Sequence, residues 1–356
     1  MSDATPAPVK IAPADMPPIA GSRQVVAGPH ISGAVSSRRI MLLVVGALAP
    51  AALWSIVCLG MAAVIVYLAC ILSSVGTEFA WNALARRPHT FTDGSALLTG
   101  ILLAMCMPPM TPWWICMVGG AVAISLGKMM FGGLGFNLFN PALVGRAVAL
   151  LSWLGVMGEL KPYAGGWLVA VPDIAAVGKF DAISGATRLA VAAADRAAGG
   201  AYGFDLAAQY SALLFKNMAG SVGEVSAALL IAGGLFLIVI KVVDWRIPLG
   251  YIGTVAALSW AVGSDPIFNV LAGGVVLGAF FMATDYVTSP ITKKGRLVFG
   301  IGCGLFNAVT RFYGPMPETT TFAILFMNGL APIIDRMFMP RPFGWVKPAK
   351  EAKADA

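Results

Sequence analysis

The sequence predicts an all-α polytopic membrane protein with about ten transmembrane helices, and three observations carry that prediction. Charged residues make up only 12% of the chain while 58% are hydrophobic, with a mean hydropathy of +0.81 over 356 residues; soluble domains carry about 25% charged residues. Apolar stretches recur from Ile40 almost to Phe338, at lengths near the roughly 20 residues that cross a hydrocarbon core about 30 Å thick. Basic residues gather at the ends of those stretches and in the tails, where they orient spans.

The apolar segments run over residues 40–58, 60–84, 94–110, 113–131, 138–155, 222–241, 247–263, 267–284, 296–312 and 320–338. They divide the chain into a tail (1–37), a first membrane half of five helices (38–155), a long connection (156–221), a second five-helix half (222–338) and a second tail (339–356). The N-terminal tail is rich in Pro and Ala and lacks the apolar core of a signal peptide, so a disordered segment is expected there. If the chain starts in the cytoplasm, the even-numbered segments end on that side. Arg86, Arg87, Lys128, Lys241, Arg246, Lys293, Lys294, Arg296, Arg341 and Lys347 then lie on the cytoplasmic face, as the positive-inside rule requires.

Five helices before the long connection and five after it enter the membrane from opposite sides, which is the arithmetic of an inverted repeat. A match between residues 133–140 (GLGFNLFN) and 300–307 (GIGCGLFN) falls on segments five and nine. An inverted scheme does not pair those segments, so the match reads as coincidence.

A connection as long as 156–221 is functional or disordered. Its aromatics, Tyr163, Trp167, Tyr202, Phe204 and Tyr210, argue for order. Leu206, Tyr210, Leu213 and Leu214 share a face at helical spacing, predicting a short helix lying on the outer membrane face.

Composition excludes some functions. The formal charge of +7 is scattered and forms no basic stripe with interleaved aromatics, so nucleic-acid binding is not expected. Cys58, Cys70, Cys106, Cys116 and Cys303 all lie in apolar segments without C-x-x-C spacing, and read as packing residues, not metal or cluster ligands. No catalytic residues and no metal ligands are predicted.

Within the connection stands Asp181-Ala182-Ile183-Ser184-Gly185-Ala186-Thr187, followed by the helix-forming stretch Arg188 to Arg196. Ser184 fits an N-cap, so Gly185, Ala186 and Thr187 fall in a first turn whose unpaired N–H groups favour an anion. A plain capped helix would explain an S-x-x-T pattern by itself. The full string D-A-I-S-G-A-T resembles the signature in which a dedicated transferase esterifies FMN to the final Thr.

Other blocks extend that resemblance from about Pro29 to Gly344. Asp93-Gly94-Ser95-Ala96-Leu97-Leu98-Thr99-Gly100, Pro112-Trp113-Trp114, Gly132 to Ala142 and Pro332-Ile333-Ile334-Asp335 are similar to the membrane-subunit family shared by the Rnf complex (D type) and the sodium-pumping NADH:quinone oxidoreductase (B type). The short N-terminal tail favours the Rnf type. Tyr286 stands where the family's T-D-P-V-T pattern has Pro, and Met316-Pro317-Glu318-Thr319-Thr320 departs from its Y-P-D-G. The resemblance implies a urea-channel-like, ten-helix subunit of the bacterial inner membrane, with both termini cytoplasmic. It further implies FMN covalently bound outside through Thr187, and a second, non-covalent riboflavin in the membrane domain.

Such a subunit relays electrons between ferredoxin and NAD with A, B, C, E and G type partners, coupled to sodium or proton movement. It turns over no soluble substrate alone, and it needs a flavin transferase to mature. A solute channel of the urea-channel type is the competing class; it explains the helices but gives no reason for D-A-I-S-G-A-T. Among intramembrane polar residues, Asn137, Asn140, Asp285 and Asn307 are the candidates for an ion path or second flavin pocket, because such groups are costly in lipid and face protein or water. Arg146, Asp265, Asn269, Arg311, Asn328 and Asp335 share that cost, and interhelical hydrogen bonding would account for the asparagines equally.

Overall fold

The computed structural model describes residues 36–86, 90–158, 189, 192, 206–216, 220–314 and 319–339. Every regular element among them is helical. In the first half these are α1 (Ser37–Leu59), α2 (Met61–Leu84), α3 (Ser95–Cys106), α4 (Trp113–Ser125), α5 (Pro141–Ser152) and the short α6 (Leu154–Gly158). The connection contributes α7 (Leu206–Phe215). The second half has α8 (Ala227–Val239), α9 (Arg246–Ala261), α10 (Pro266–Leu271), α11 (Val275–Leu277), α12 (Lys293–Tyr313) and α13 (Thr320–Phe338). A helix lies in each of the ten predicted segments.

Four spans are long and apolar enough to cross a bilayer by themselves: Ser37–Leu59, Met61–Leu84, Trp113–Phe131 and Thr320–Phe338. Large apolar side chains such as Leu53, Leu72, Val239 and Trp260 are exposed on the outside of the bundle, where lipid replaces water as solvent and their exposure carries no cost. The chain is a membrane protein.

Segments three and eight are broken. At about 1.5 Å per residue the 12 residues of α3 reach only roughly 18 Å before Met107 turns extended. Segment eight is α10, then an extended Ala272, then Gly273 and Gly274 at φ 73° and 70°. It resumes as α11 and a π-helical turn, Gly278–Met282. Unpaired backbone in lipid is untenable unless protein satisfies it, and here it does. Arg311 donates to the carbonyls of Asn269 and Ala272. Thr320 Oγ1 donates to Gly273 O at 3.0 Å, and Val222 N to Met107 O at 2.9 Å. The carbonyls of Met107, Asn269, Ala272 and Gly273 at these breaks are therefore taken by the chain itself.

The packing repeats across the two halves. In the first, α2 lies against α3 and α4, and α4 against α5; in the second, α9 lies against α10 and α12, and α12 against α13. The halves meet where equivalent helices touch, α1 on α8 and α5 on α13. Exchange of the halves preserves these neighbours, as an inverted repeat demands. Small residues set the close approaches: a Cβ on Gly100 would come within 2.8 Å of Ile71 Cα between α3 and α2, and one on Gly300 within 3.1 Å of Ile247 Cα between α12 and α9. The 133–140 and 300–307 match is indeed no repeat, since Gly133 and Gly135 are loop residues at φ 109° and 97° while Gly300 and Gly302 lie inside α12.

Helix α7 is tied to one end of the bundle. Tyr210 donates to Asp265 Oδ2 (2.6 Å), Trp54 Nε1 to Phe215 O (2.7 Å), and Ser226, the N-cap of α8, to Leu214 O (2.8 Å). Leu213 is wholly buried against Leu189, Ala192, Phe268 and Ala272, the face predicted from its spacing.

Candidate functional site

Asp181, Ser184, Gly185, Ala186 and Thr187 lie outside the described residues. Leu189, two positions beyond Thr187, is buried in the small cluster beneath α7.

At the opposite end of the bundle, three of the four intramembrane candidates come together. Asn137, Asn140 and Asp285 line a cavity of about 80 Å³ with Ser95, Lys128 and Thr284. The starts of α1 and α3 and the ends of segments four, six and eight all converge on it. Asn140 is fully engaged. Its Oδ1 accepts from Ala142 N (3.1 Å), capping α5 ahead of Pro141, and its Nδ2 donates to Met282 O in the π-helical turn (3.2 Å). Its backbone N–H reaches Asn328 at 3.1 Å. Asn140 thus ties the two halves together at the broken segment. Asn137 donates from Nδ2 to Phe139 O (3.3 Å) and keeps a buried Oδ1 with no partner among the described residues. Asp285 Oδ2 accepts from Thr288 Oγ1 at 3.1 Å.

Asn307 stands apart. It is wholly buried on α12, donating to Tyr251 OH (3.0 Å) and Thr320 Oγ1 (2.9 Å). A second cavity, about 30 Å³, is lined by Arg146, Glu224 and Thr320 and by Cys106 and Met282, whose sulfurs are 3.8 Å apart. Both cavities fall far below the roughly 300–1,000 Å³ of pockets that take drug-sized ligands. As packed, the cavity with Asn137, Asn140 and Asp285 has room for a few waters.

A charged pair missing from the sequence-based candidates borders the first cavity. Lys128 Nζ donates to Glu78 Oε1 at 2.8 Å and to Ser95 Oγ at 2.6 Å, with both charged side chains at or below 2% exposure. Ser95 Oγ donates in turn to Asp93 Oδ1 (2.6 Å), which also accepts Ser95 N (2.8 Å). Gly94 between them holds φ 80°. The Asp93-Gly94-Ser95 block is thus a start for α3 that presents a hydroxyl to a buried ammonium. Lys128 is therefore a buried ion-pair partner, not the exposed orienting charge suggested by its position at a segment end. Glu78 lay in plain view, as an ionisable residue inside the longest apolar segment; that cost alone is a functional signal.

Asp335 accepts the backbone N–H groups of Ile291 (3.0 Å) and Thr292 (3.3 Å), tying the end of α13 to the loop before α12. Asp265 caps α10 through Phe268 N at 2.6 Å. Both are structural.

Comparison with known proteins places these features in a family. The model of the NQR2, RnfD, RnfE family matches residues 24–344. The chain is 41% identical to the D subunit of the Na(+)-translocating ferredoxin:NAD(+) oxidoreductase complex of Acetobacterium woodii, covering 93% of this chain and 98% of that one. It is 38% identical to the D subunit of the proton-translocating ferredoxin:NAD(+) oxidoreductase complex of Clostridium ljungdahlii, over 90% and 96%. It is 40% identical to the D subunit of the ion-translocating oxidoreductase complex of Stutzerimonas stutzeri, over 86% and 92%. With nearly the whole chain matched and the broken-helix halves intact, this chain belongs to the NQR2, RnfD, RnfE family.

Proposed function

We propose that the chain is the D-type membrane subunit of an ion-translocating ferredoxin:NAD oxidoreductase complex of the bacterial inner membrane. In this reading it carries FMN as a phosphoester of Thr187, attached by a flavin transferase, and works with A, B, C, E and G type subunits. The observation that carries it is the similarity to D subunits of such complexes over almost the full length of each relative, joined to the D-A-I-S-G-A-T string. Bound flavin supplies reversible one- and two-electron chemistry; the protein supplies position and electrostatics. Leu189 supports the assignment of a side, because it anchors the chain just after Thr187 at the end of the bundle opposite Lys128 and Asp285. A relative that moves sodium and one that moves protons resemble the chain about equally, so the coupled ion is a small cation of either kind.

The test is direct. The chain from transferase-bearing cells, denatured and run on a gel, should fluoresce yellow under ultraviolet light, and membranes holding the complex should reduce NAD with reduced ferredoxin. A flavin-free chain in an active complex would refute the cofactor assignment; a flavin-free chain in membranes without this activity would favour the solute channel.

The orientation has its own check. A reporter fused after Lys294 should behave as cytoplasmic, because Lys293 and Lys294 are exposed on the face where segment eight ends; a periplasmic signal would invert the assignment. Asp285→Asn should impair coupled ion transport in sealed vesicles while FMN attachment stays complete, since the carboxylate lines the cavity remote from α7. Unchanged transport would leave Asp285 as a cap for the 285–288 turn.

A further inference from the structure

A third cavity lies at the bundle end that holds Lys128, next to the first and sharing Val242, Val243, Thr284 and Tyr286 with it, but with a different set of charged residues. It measures about 250 Å³, and among its lining residues are Lys241, Asp244, Trp245, Arg246, Tyr286 and Arg296. That is room for roughly eight waters at about 30 Å³ each. Three cations face one anion. Asp244 Oδ2 accepts from Arg246 Nη1 at 3.1 Å and from Arg296 Nη1 at 3.0 Å, and Arg296 Nε donates to Pro290 O at 3.0 Å.

Those bonds leave donors unspent. A guanidinium offers five N–H donors; among the described residues Arg246 commits only Nη1 and Arg296 only Nε and Nη1, each at 28% side-chain exposure. Lys241 is exposed and has no ion-pair partner among the described residues. Its backbone sits at φ 59°, a left-handed conformation that strains an L side chain and that Gly would adopt freely. Asp244 stays ionised. Burial works to raise its carboxyl, but the Arg246 N–H and the two guanidiniums outweigh that and hold it below the ordinary carboxylate range. The cavity therefore keeps a net charge of about +2.

The surroundings are those of a membrane interface. Trp245 is 49% exposed with Arg246 5.0 Å over its ring, and half-exposed tryptophans favour the headgroup level. Val239 and Leu249, exposed at 77% and 56%, supply apolar surface next to the charges where acyl chains would lie. Basic pockets between helices at a membrane face hold lipid headgroups.

We propose that the cavity between the α8–α9 turn and the first turn of α12 binds a phosphate oxyanion, supplied by the headgroup of an anionic phospholipid. Lys241 provides the mobile contact, and the Arg246 and Arg296 forks, pre-set by Asp244, provide the fixed ones.

The test is native mass spectrometry of the full chain in a non-ionic detergent, titrated with phosphatidylglycerol or with phosphatidylcholine of the same acyl chains, and with inorganic phosphate as competitor. Phosphatidylglycerol should be retained at lower concentration than phosphatidylcholine. Lys241→Gln should weaken its retention about fivefold, and Lys241→Arg should restore it. Lys241→Gly should weaken it equally while leaving the thermal midpoint unchanged or raised, because the turn accepts Gly without strain. Lys294→Gln, which removes an exposed charge outside the cavity, should change nothing. Competition by inorganic phosphate supports the oxyanion chemistry, and Lys241-dependent binding of phosphate alone, with phosphatidylglycerol no tighter, would assign the site to free phosphate and overturn the lipid source. Equal retention of the two lipids, or equal losses in the Lys241→Gln and Lys294→Gln variants, would overturn the site itself.

Discussion

Thr187→Ala is expected to yield a chain that inserts normally and carries no covalent flavin. A phosphoester needs a hydroxyl, and Ala offers none. Insertion should not depend on that hydroxyl, since apolar helix length and burial in lipid drive it. Thr187→Ser keeps a nucleophile and should retain some modification. Ser184→Ala removes the proposed cap at a cost of about 1 kcal/mol and should only lower the yield. Expression without the transferase should reproduce the Thr187→Ala product. Intact-mass measurement reads all four outcomes, and an FMN-sized adduct on the Ala chain would show that another residue is the acceptor.

Loss of Lys128 should be the most damaging single change in the described membrane domain. Lys128→Met strands the Glu78 carboxylate at 0% exposure, with Oε2 already lacking a partner among the described residues. Breaking a buried ion pair from one side costs about 3–5 kcal/mol, because the remaining charge, here left with the Thr90 hydroxyl as its donor, is no longer compensated. The detergent-solubilised chain should therefore melt at a much lower temperature or fail to accumulate. Adding Glu78→Gln to Lys128→Met removes the stranded charge and should recover most of the loss, since neutral replacements for a buried pair are often harmless. Equal midpoints for the wild-type chain and the Lys128→Met variant would show that Glu78 is neutral or hydrated in the folded protein.

Sequence by itself determined the class of this protein, the number and order of its apolar segments and the helix at 206–215, because hydrophobic length and periodicity are local properties that lipid and the helix backbone read directly. It also singled out Asn137, Asn140 and Asp285, since a polar residue in an apolar segment has to face protein or water. Only the tertiary structure decided what each polar group does. Asn140 is a cap and a strut between the halves, Asn307 ties Tyr251 to Thr320 away from the cavity, and Lys128 is half of a buried ion pair with a carboxylate 50 residues away in sequence. Pro108-Pro109 marks the break that ends segment three in the sequence itself, but the break in segment eight was beyond pattern reading. An apolar run of the right length looks continuous until Arg311 and Thr320, from other helices, accept the task of satisfying its interrupted carbonyls. Partners that distant are fixed by packing, and no local pattern records them.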